Sequence, residues 1–176
     1  MKFYKANARL NGCGCSFGIN AAEQTLFISL VKQSAWDDSK KLGQFNGDKI
    51  NIKSNFTEIG ALLDVLQRNV TYSTVHKSAN GMTSIKFEPY FIYSKEENGE
   101  KTQKGYGLSI YRKTADKELK FLMPFNFAEA VLLKEYFSFA IRQMLHVEMT
   151  EARKQYKEKQ KQQDGIKKTE ENGDID

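Results

Sequence analysis

Two stretches 71 residues apart decide how this chain is read: Lys49-Ile50-Asn51-Ile52 before Asn55-Phe56-Thr57-Glu58, and Lys120-Phe121-Leu122-Met123 before Asn126-Phe127-Ala128-Glu129. In the first half of each, the second and fourth positions are apolar and a lysine takes the alternate face, which is the period of a strand. In the second half, an Asn stands three residues before a Glu. The Asn side chain can accept from the free amides of a helix's first turn, while the Glu reaches back to the Asn N–H. Each stretch reads as a last strand running into a capped helix, and the chain contains the arrangement twice.

Upstream of each stretch lie three more strand-like runs. Residues 3–10 alternate, with Tyr4, Ala6, Ala8 and Leu10 on one face and Phe3, Lys5, Asn7 and Arg9 on the other. Residues 13–19, 25–33 and 49–53 complete a first group of four; residues 70–77, 82–94, 105–113 and 119–123 form a second. Four Asn-Gly pairs, at 11–12, 46–47, 80–81 and 98–99, offer the positive φ that tight hairpins need. The first helix puts Phe56, Ile59, Leu62, Leu63 and Leu66 on one face. The second, over about 127–147, is apolar nearly all round, which predicts cover on most sides. The expected fold class is α+β: two tandem units of four antiparallel strands and a helix, about 1–69 and 70–149, in one domain at 1–149. Beyond it, 150–163 reads as a charged helical extension and 164–176 as a disordered acidic tail.

Composition agrees. With 176 residues, 40% of them hydrophobic, and twelve Phe and eight Tyr, the chain can bury a core without disulfides. No run approaches the roughly 18 apolar residues of a membrane span, and the first residues have no apolar leader. The expectation is a cytoplasmic protein with no membrane partner. The net charge of +5 is uneven. Residues 164–176 carry five acids and two lysines, or −3, leaving 25 basic and 17 acidic side chains, or +8, on the rest. A basic body with an acidic end suits a polyanion binder.

The element order, together with Gly107-Leu108-Ser109-Ile110-Tyr111-Arg112-Lys113 and the run from Leu119 into Phe127, resembles the Whirly fold and the related positive-cofactor-4-like domains. The Lys-Gly-Lys-Ala-like sequence of plant Whirly proteins is absent. The resemblance covers residues 3 to about 145 and implies binding of single-stranded DNA. Such binding needs lysines for phosphates and aromatic faces for bases. The candidates are Phe3, Lys5 and Arg9 on the outward side of the first strand, Trp36 in the loop after the third, Lys49 and Lys53 on the fourth, Lys86 and Tyr90 on the long 82–94 strand, and Tyr111 with Lys113 on the next.

Other chemistry is weaker. Cys13-Gly14-Cys15 has no second cysteine pair, and His76 and His146 stand far off in sequence, so no metal is expected. Gly105-Tyr106-Gly107 lacks the lysine and helix start of a phosphate loop. The acid pairs Asp37-Asp38 and Glu96-Glu97 sit in polar loops and read as solvated side chains. No catalytic constellation emerges, so neither an enzyme nor a cofactor is expected. The reading is a sequence-tolerant single-stranded-DNA-binding protein for replication, recombination or repair, homo-oligomeric, of viral or bacterial type. The acidic tail resembles those of bacterial single-strand-binding proteins, pointing to electrostatic autoinhibition or contact with replication proteins. The alternatives are an RNA-binding or transcription-cofactor protein, and an oligomeric assembly protein that does not bind nucleic acid.

Overall fold

The structure, a computed structural model, describes residues 1–93 and 101–171. The first unit holds β1 (Lys2–Lys5), β2 (Cys13–Asn20), β3 (Thr25–Lys32), a hairpin of β4 (Ala35–Asp37) and β5 (Leu42–Gln44), β6 (Lys49–Asn55) and α1 (Phe56–Arg68). The second holds β7 (Tyr72–Ser78), β8 (Gly81–Tyr93), β9 (Lys101–Lys113), β10 (Glu118–Phe125) and α2 (Phe127–Glu171). Two antiparallel sheets result, ordered β1-β2-β3-β6 and β7-β8-β9-β10. The β4–β5 hairpin is an insertion between the third and fourth strands of the first sheet.

The 71-residue repeat is a repeat of register. Ile28 pairs with Ile52 in the first sheet, and Leu108 pairs with Met123 in the second. Both helix starts form the full capping box: Asn55 Oδ1 accepts from Glu58 N at 2.9 Å, and Asn126 Oδ1 accepts from Glu129 N at 2.9 Å. The glutamates return the bond, Glu58 accepting from Asn55 N and Glu129 from Asn126 N.

Each of these glutamates has a second task. Lys5 on β1 reaches Glu129 of the second unit's helix at 2.5 Å, and His76 on β7 reaches Glu58 of the first unit's helix at 2.6 Å. Lys5 and His76 are themselves 71 residues apart. Each unit's first strand is thus tied to the other unit's helix. The inner faces of both sheets and both helices form a single buried cluster, in which Phe3 and Phe17 of one unit meet Phe87, Phe125 and Phe137 of the other. The units therefore fold around a common core.

Several expectations need correction. β1 ends at Lys5, and residues 6–12 form a loop in which Leu10 takes the left-handed conformation (φ 57°). The Asn11-Gly12 pair does not make the hairpin turn. Gly12 is needed for space, because a Cβ there would lie 2.3 Å from the Lys5 carbonyl oxygen. The Asn46-Gly47 pair likewise lies in the connection leading to β6. The third pair, Asn80-Gly81, does lie at a two-residue hairpin, but shifted by one: Ala79-Asn80 form the turn and Gly81, at φ 138°, is the first residue of β8, paired to Ser78. The Asn98-Gly99 pair falls outside the described residues. α2 continues unbroken to Glu171, so residues 164–171, expected as disordered, are helical; Lys, Glu and Gln sustain a helix, and Gly165 alone costs only about 1 kcal/mol. Residues 172–176 lie outside the described residues. No helix is long and apolar enough to cross a membrane, among the described residues.

Candidate nucleic-acid interface

With the helices covering the inner faces, the outer faces of the two sheets are left to solvent. The pleat sorts the first sheet cleanly. Leu26, Ile28 and Leu30 of β3 and Ile50 and Ile52 of β6 point inward, while Ser29, Val31, Lys49, Asn51 and Lys53 point outward. On β2 the outward positions are Gly14, Ser16 and Gly18, all small. They leave a trough of ≈ 240 Å³ across the middle of the sheet. Tyr4 stands at one side, 57% exposed, with its ring centroid 5.1 Å from that of Phe45. Lys2, Lys49 and Asn51 complete the walls. Neither Lys2 nor Lys49 has an acidic partner within 4 Å among the described residues.

The second sheet repeats this design with different side chains. Ser84, Lys86, Ser109, Tyr111 and Lys120 line a groove of ≈ 360 Å³. Its charges are largely matched: Lys86 pairs with Glu88 at 2.8 Å and Lys113 with Glu118 at 3.4 Å. The Lys120 ammonium lies 5.5 Å from the Tyr111 ring centroid. The Glu118 carboxyl is held below its usual range, first by the Tyr111 hydroxyl and then by the Lys113 side chain. At Lys120 and Phe121 this groove meets a wider one, ≈ 570 Å³ between β10 and the 6–12 loop. That cleft has an apolar floor of Phe121, Leu122 and Pro124, with Lys32 and Lys120 at its walls.

The residues expected from sequence are distributed as follows. Lys49 and Lys53 lie on the outer face of the first sheet, with Lys53 paired to Glu23 at 3.0 Å. Lys86, Tyr90, Tyr111 and Lys113 lie on the outer face of the second, Tyr90 packed beside Gly107. Three others do not sit as expected. Phe3 is in the core, edge-on to Phe125 at 5.1 Å, and Lys5 is committed to Glu129. The first strand is turned over relative to the expectation, because both Phe3 and Tyr4 satisfy an alternating pattern and the strand stops before Ala6, Ala8 and Leu10 can decide. Arg9 is off the sheet, in the turn after β1, its amide donating to Asn7 Oδ1. Trp36 lies on β4 rather than in a loop, and its Nε1 donates to Asp38 Oδ1 at 3.0 Å. Missed by sequence reading were Lys2, Tyr4, Lys32, Phe45, Asn51 and Lys120. Lys120 was within reach, since it repeats Lys49; Phe45 had no local signal.

The remaining reactive groups are occupied by structure. Asp37 accepts from the Ser39 amide, the Ser39 hydroxyl and the Lys40 amide, which close the β4–β5 turn. Glu96-Glu97 falls outside the described residues. Among the described residues no three His, Cys, Asp or Glu side chains come together as metal ligands. Cys13 and Cys15 are buried, and burial pushes the Cys13 thiol up to about 11 and the Cys15 thiol well above its usual value. Both are expected to resist iodoacetamide at pH 8 in the native protein, since the thiolate is the nucleophile, and to react once urea unfolds the chain. Mass spectrometry of the alkylated protein reads this directly; rapid native labelling would show that the site opens.

No protein-family model matches the sequence, and no curated protein matches it. Solved structures do match in shape. WHY1 from Arabidopsis thaliana superposes with a TM-score of 0.61 at 14% identity, over 87% of this chain and 89% of that one. The plant transcriptional regulator PBF-2 gives 0.59 at 14% identity, over 85% and 92%. A guide-RNA-binding protein complex bound to a guide RNA gives 0.58 at 13% identity, over 81% and 88%. The likeness covers more than four-fifths of this chain in each case, so this chain has a Whirly-like fold, built from two tandem units of four sheet strands and a helix.

Proposed function

We propose that this chain binds single-stranded nucleic acid across the outer faces of its sheets, without strong sequence preference, in replication, recombination or repair. The observation that carries the reading is the trough on the first sheet. A floor of Gly14, Ser16 and Ser29 admits flat groups, the Tyr4 ring can stack on a base, and Lys2 and Lys49 can meet phosphates. The shape likeness to a complex bound to guide RNA and to a transcriptional regulator supports a nucleic-acid ligand and keeps RNA as the second reading. The wide apolar face of α2 supports self-association. No catalytic role is proposed.

The test is a titration of fluorescent oligo-dT, the matching RNA and duplex DNA at several salt concentrations. Single strands are expected to bind more tightly than duplex, with a steep loss of affinity as salt rises. Duplex preference, or no binding at low salt, overturns the reading. The acidic end adds a prediction. Deleting 164–176 removes a net charge of −3 and is expected to tighten oligo-dT binding several-fold at low salt, with the difference vanishing at high salt. Equal affinities at low salt would argue against autoinhibition.

A further inference from the structure

The cleft of ≈ 570 Å³ between β10 and the 6–12 loop has a counterpart, and the two are unlike. The repeat places a second cleft, of ≈ 410 Å³, where β6 meets β7, lined by Thr25, Lys53, Asn55, Glu58, His76 and Lys77. Lys53 and His76 stand there where Pro124 and Lys5 stand in the first, 71 residues apart in each case. No apolar side chain lines the second cleft. In the first, Leu10 lines the loop side and Leu122 with Pro124 lines the β10 side, and both leucines are half-exposed. A junction that served only to join the sheets would have the same character in both places. Here one alone keeps an open apolar slot.

The loop wall of that slot is held in place. The buried Gln33 accepts from the Asn7 amide at 3.0 Å and donates to the Asn7 carbonyl at 3.0 Å, while its own amide donates to the Gly12 carbonyl at 2.9 Å. Between these anchors Leu10 is kept left-handed at φ 57°, where residues with a Cβ are uncommon. Strain that the surroundings hold in this way gathers at ligand-binding segments. Two ammonium groups border the slot: Lys32 Nζ, 5.7 Å from the Phe121 ring centroid, and Lys120 Nζ, 5.5 Å from that of Tyr111. Neither has a carboxylate within 4 Å among the described residues, whereas Lys5 is taken up by Glu129. Apolar walls bordered by unpaired cations suit a flat ring flanked by phosphates. An apolar peptide side chain would use the walls and leave the cations unmatched.

We propose that this cleft takes one unstacked nucleobase of a bound single strand, held between Leu10 and the Leu122–Pro124 wall, with the adjoining phosphates on Lys32 and Lys120. The inference rests on the reading that the chain binds a single strand, and it adds a place where one base leaves the sheet surface. The cleft opens into the second-sheet groove at Lys120 and Phe121, so the inserted base lies beside the path of the strand. A base in a single strand has no pairing partner to give up, and turning it inward costs only its stacking, which the apolar walls replace. A base in a duplex must first be unpaired. The cleft therefore selects single strands, and walls that meet the faces of a ring do so without regard to sequence.

The experiment is photocross-linking of the full chain to oligo-dT carrying thiothymidine, with the adducts mapped by mass spectrometry, beside oligo-dT titrations of wild type and the pair Leu10→Asn with Leu122→Ala. Asn tolerates the left-handed backbone, so the pair removes the apolar walls and keeps the loop. Adducts are expected within 6–12 and 121–124, and the variant is expected to bind about tenfold more weakly with an unchanged urea midpoint. Adducts confined to the two sheet faces, or a variant that binds like wild type, overturn the pocket and leave strand binding standing. Wild type that binds no oligo-dT at low salt overturns strand binding and the pocket with it. Loss of the cleft adducts on adding micromolar thymidine monophosphate would mark a site for a free nucleotide and overturn the assignment to the strand.

Discussion

Phe125→Ala is expected to destabilise the chain by about 3–5 kcal/mol, the loss typical of a buried aromatic replaced by a cavity. The effect should be global, because Phe125 sits where the two units meet. It closes β10, one residue before the cap of α2, and is 1% exposed. Its ring centroid lies 5.1 Å from Phe3, 6.3 Å from Phe17 and 6.2 Å from Phe87. Two of those rings belong to the first unit, so truncating this one side chain removes contacts on both sides of the repeat. Urea unfolding should show one transition moved to lower denaturant with its slope kept. Two separated transitions would mean that the units have independent cores. Leu122→Ala, three residues away on the exposed side of the same strand, should shift the midpoint little.

This common core also explains what could be read from sequence and what could not. The capped helices were legible because a capping box is local: Asn55 with Glu58, and Asn126 with Glu129, need nothing from elsewhere. The central strands were legible because their alternation is long, as in Ile50-Asn51-Ile52 or Leu108-Ser109-Ile110. β1 was not, since four residues carry too little pattern to choose between Phe3 and Tyr4. The choice is made by Phe125 and Phe17, which receive Phe3, and by Glu129, which receives Lys5. Those partners lie up to 124 residues away. The β4–β5 hairpin escaped for a different reason. Ala35-Trp36-Asp37 and Leu42-Gly43-Gln44 are three-residue strands held largely by their turn and by Gln33, whose amide donates to Asn7 and Ala35 carbonyls. Phe45, delivered beside Tyr4 by that hairpin, was invisible until the fold was known.

The candidate site inherits this division, and duplication has left its two halves unlike. Ser29 and Ser109 occupy equivalent positions, opposite Asn51 in one sheet and Leu122 in the other. Tyr4 corresponds to Val75, so the stacking ring at the edge of the first sheet has no counterpart in the second. Lysines remain on both: on the second sheet Lys86 and Lys113 are paired to glutamates, whereas on the first Lys53 is paired to Glu23 but Lys2 and Lys49, which wall the trough, are not paired among the described residues. The first sheet is therefore the better candidate for the primary contact with a strand.

Tyr4→Ala is accordingly expected to weaken oligo-dT binding by about 1–3 kcal/mol, the contribution of one stacked base, or roughly 5- to 150-fold. The substitution should leave folding intact, since the ring is more than half exposed and touches mainly Phe45. Lys2→Gln with Lys49→Gln tests the electrostatic half of the same trough. Each lost phosphate contact should lower the slope of log affinity against log salt by about 0.7, so the pair should flatten it by about 1.4. The matched pair on the second sheet, Lys86→Gln with Lys113→Gln, should change the slope less, because those ammonium groups already have carboxylates beside them and release fewer counterions on binding. Equal changes from the two pairs would mean that the strand engages both sheets alike. A larger change from the second pair would place the primary contact there, with Glu88 and Glu118 displaced by phosphate. The combination of a stacking loss at Tyr4 with a slope change at Lys2 and Lys49 is what separates a strand lying in the trough from one held by the general positive charge of the body, since diffuse attraction would give the slope change without the loss at Tyr4.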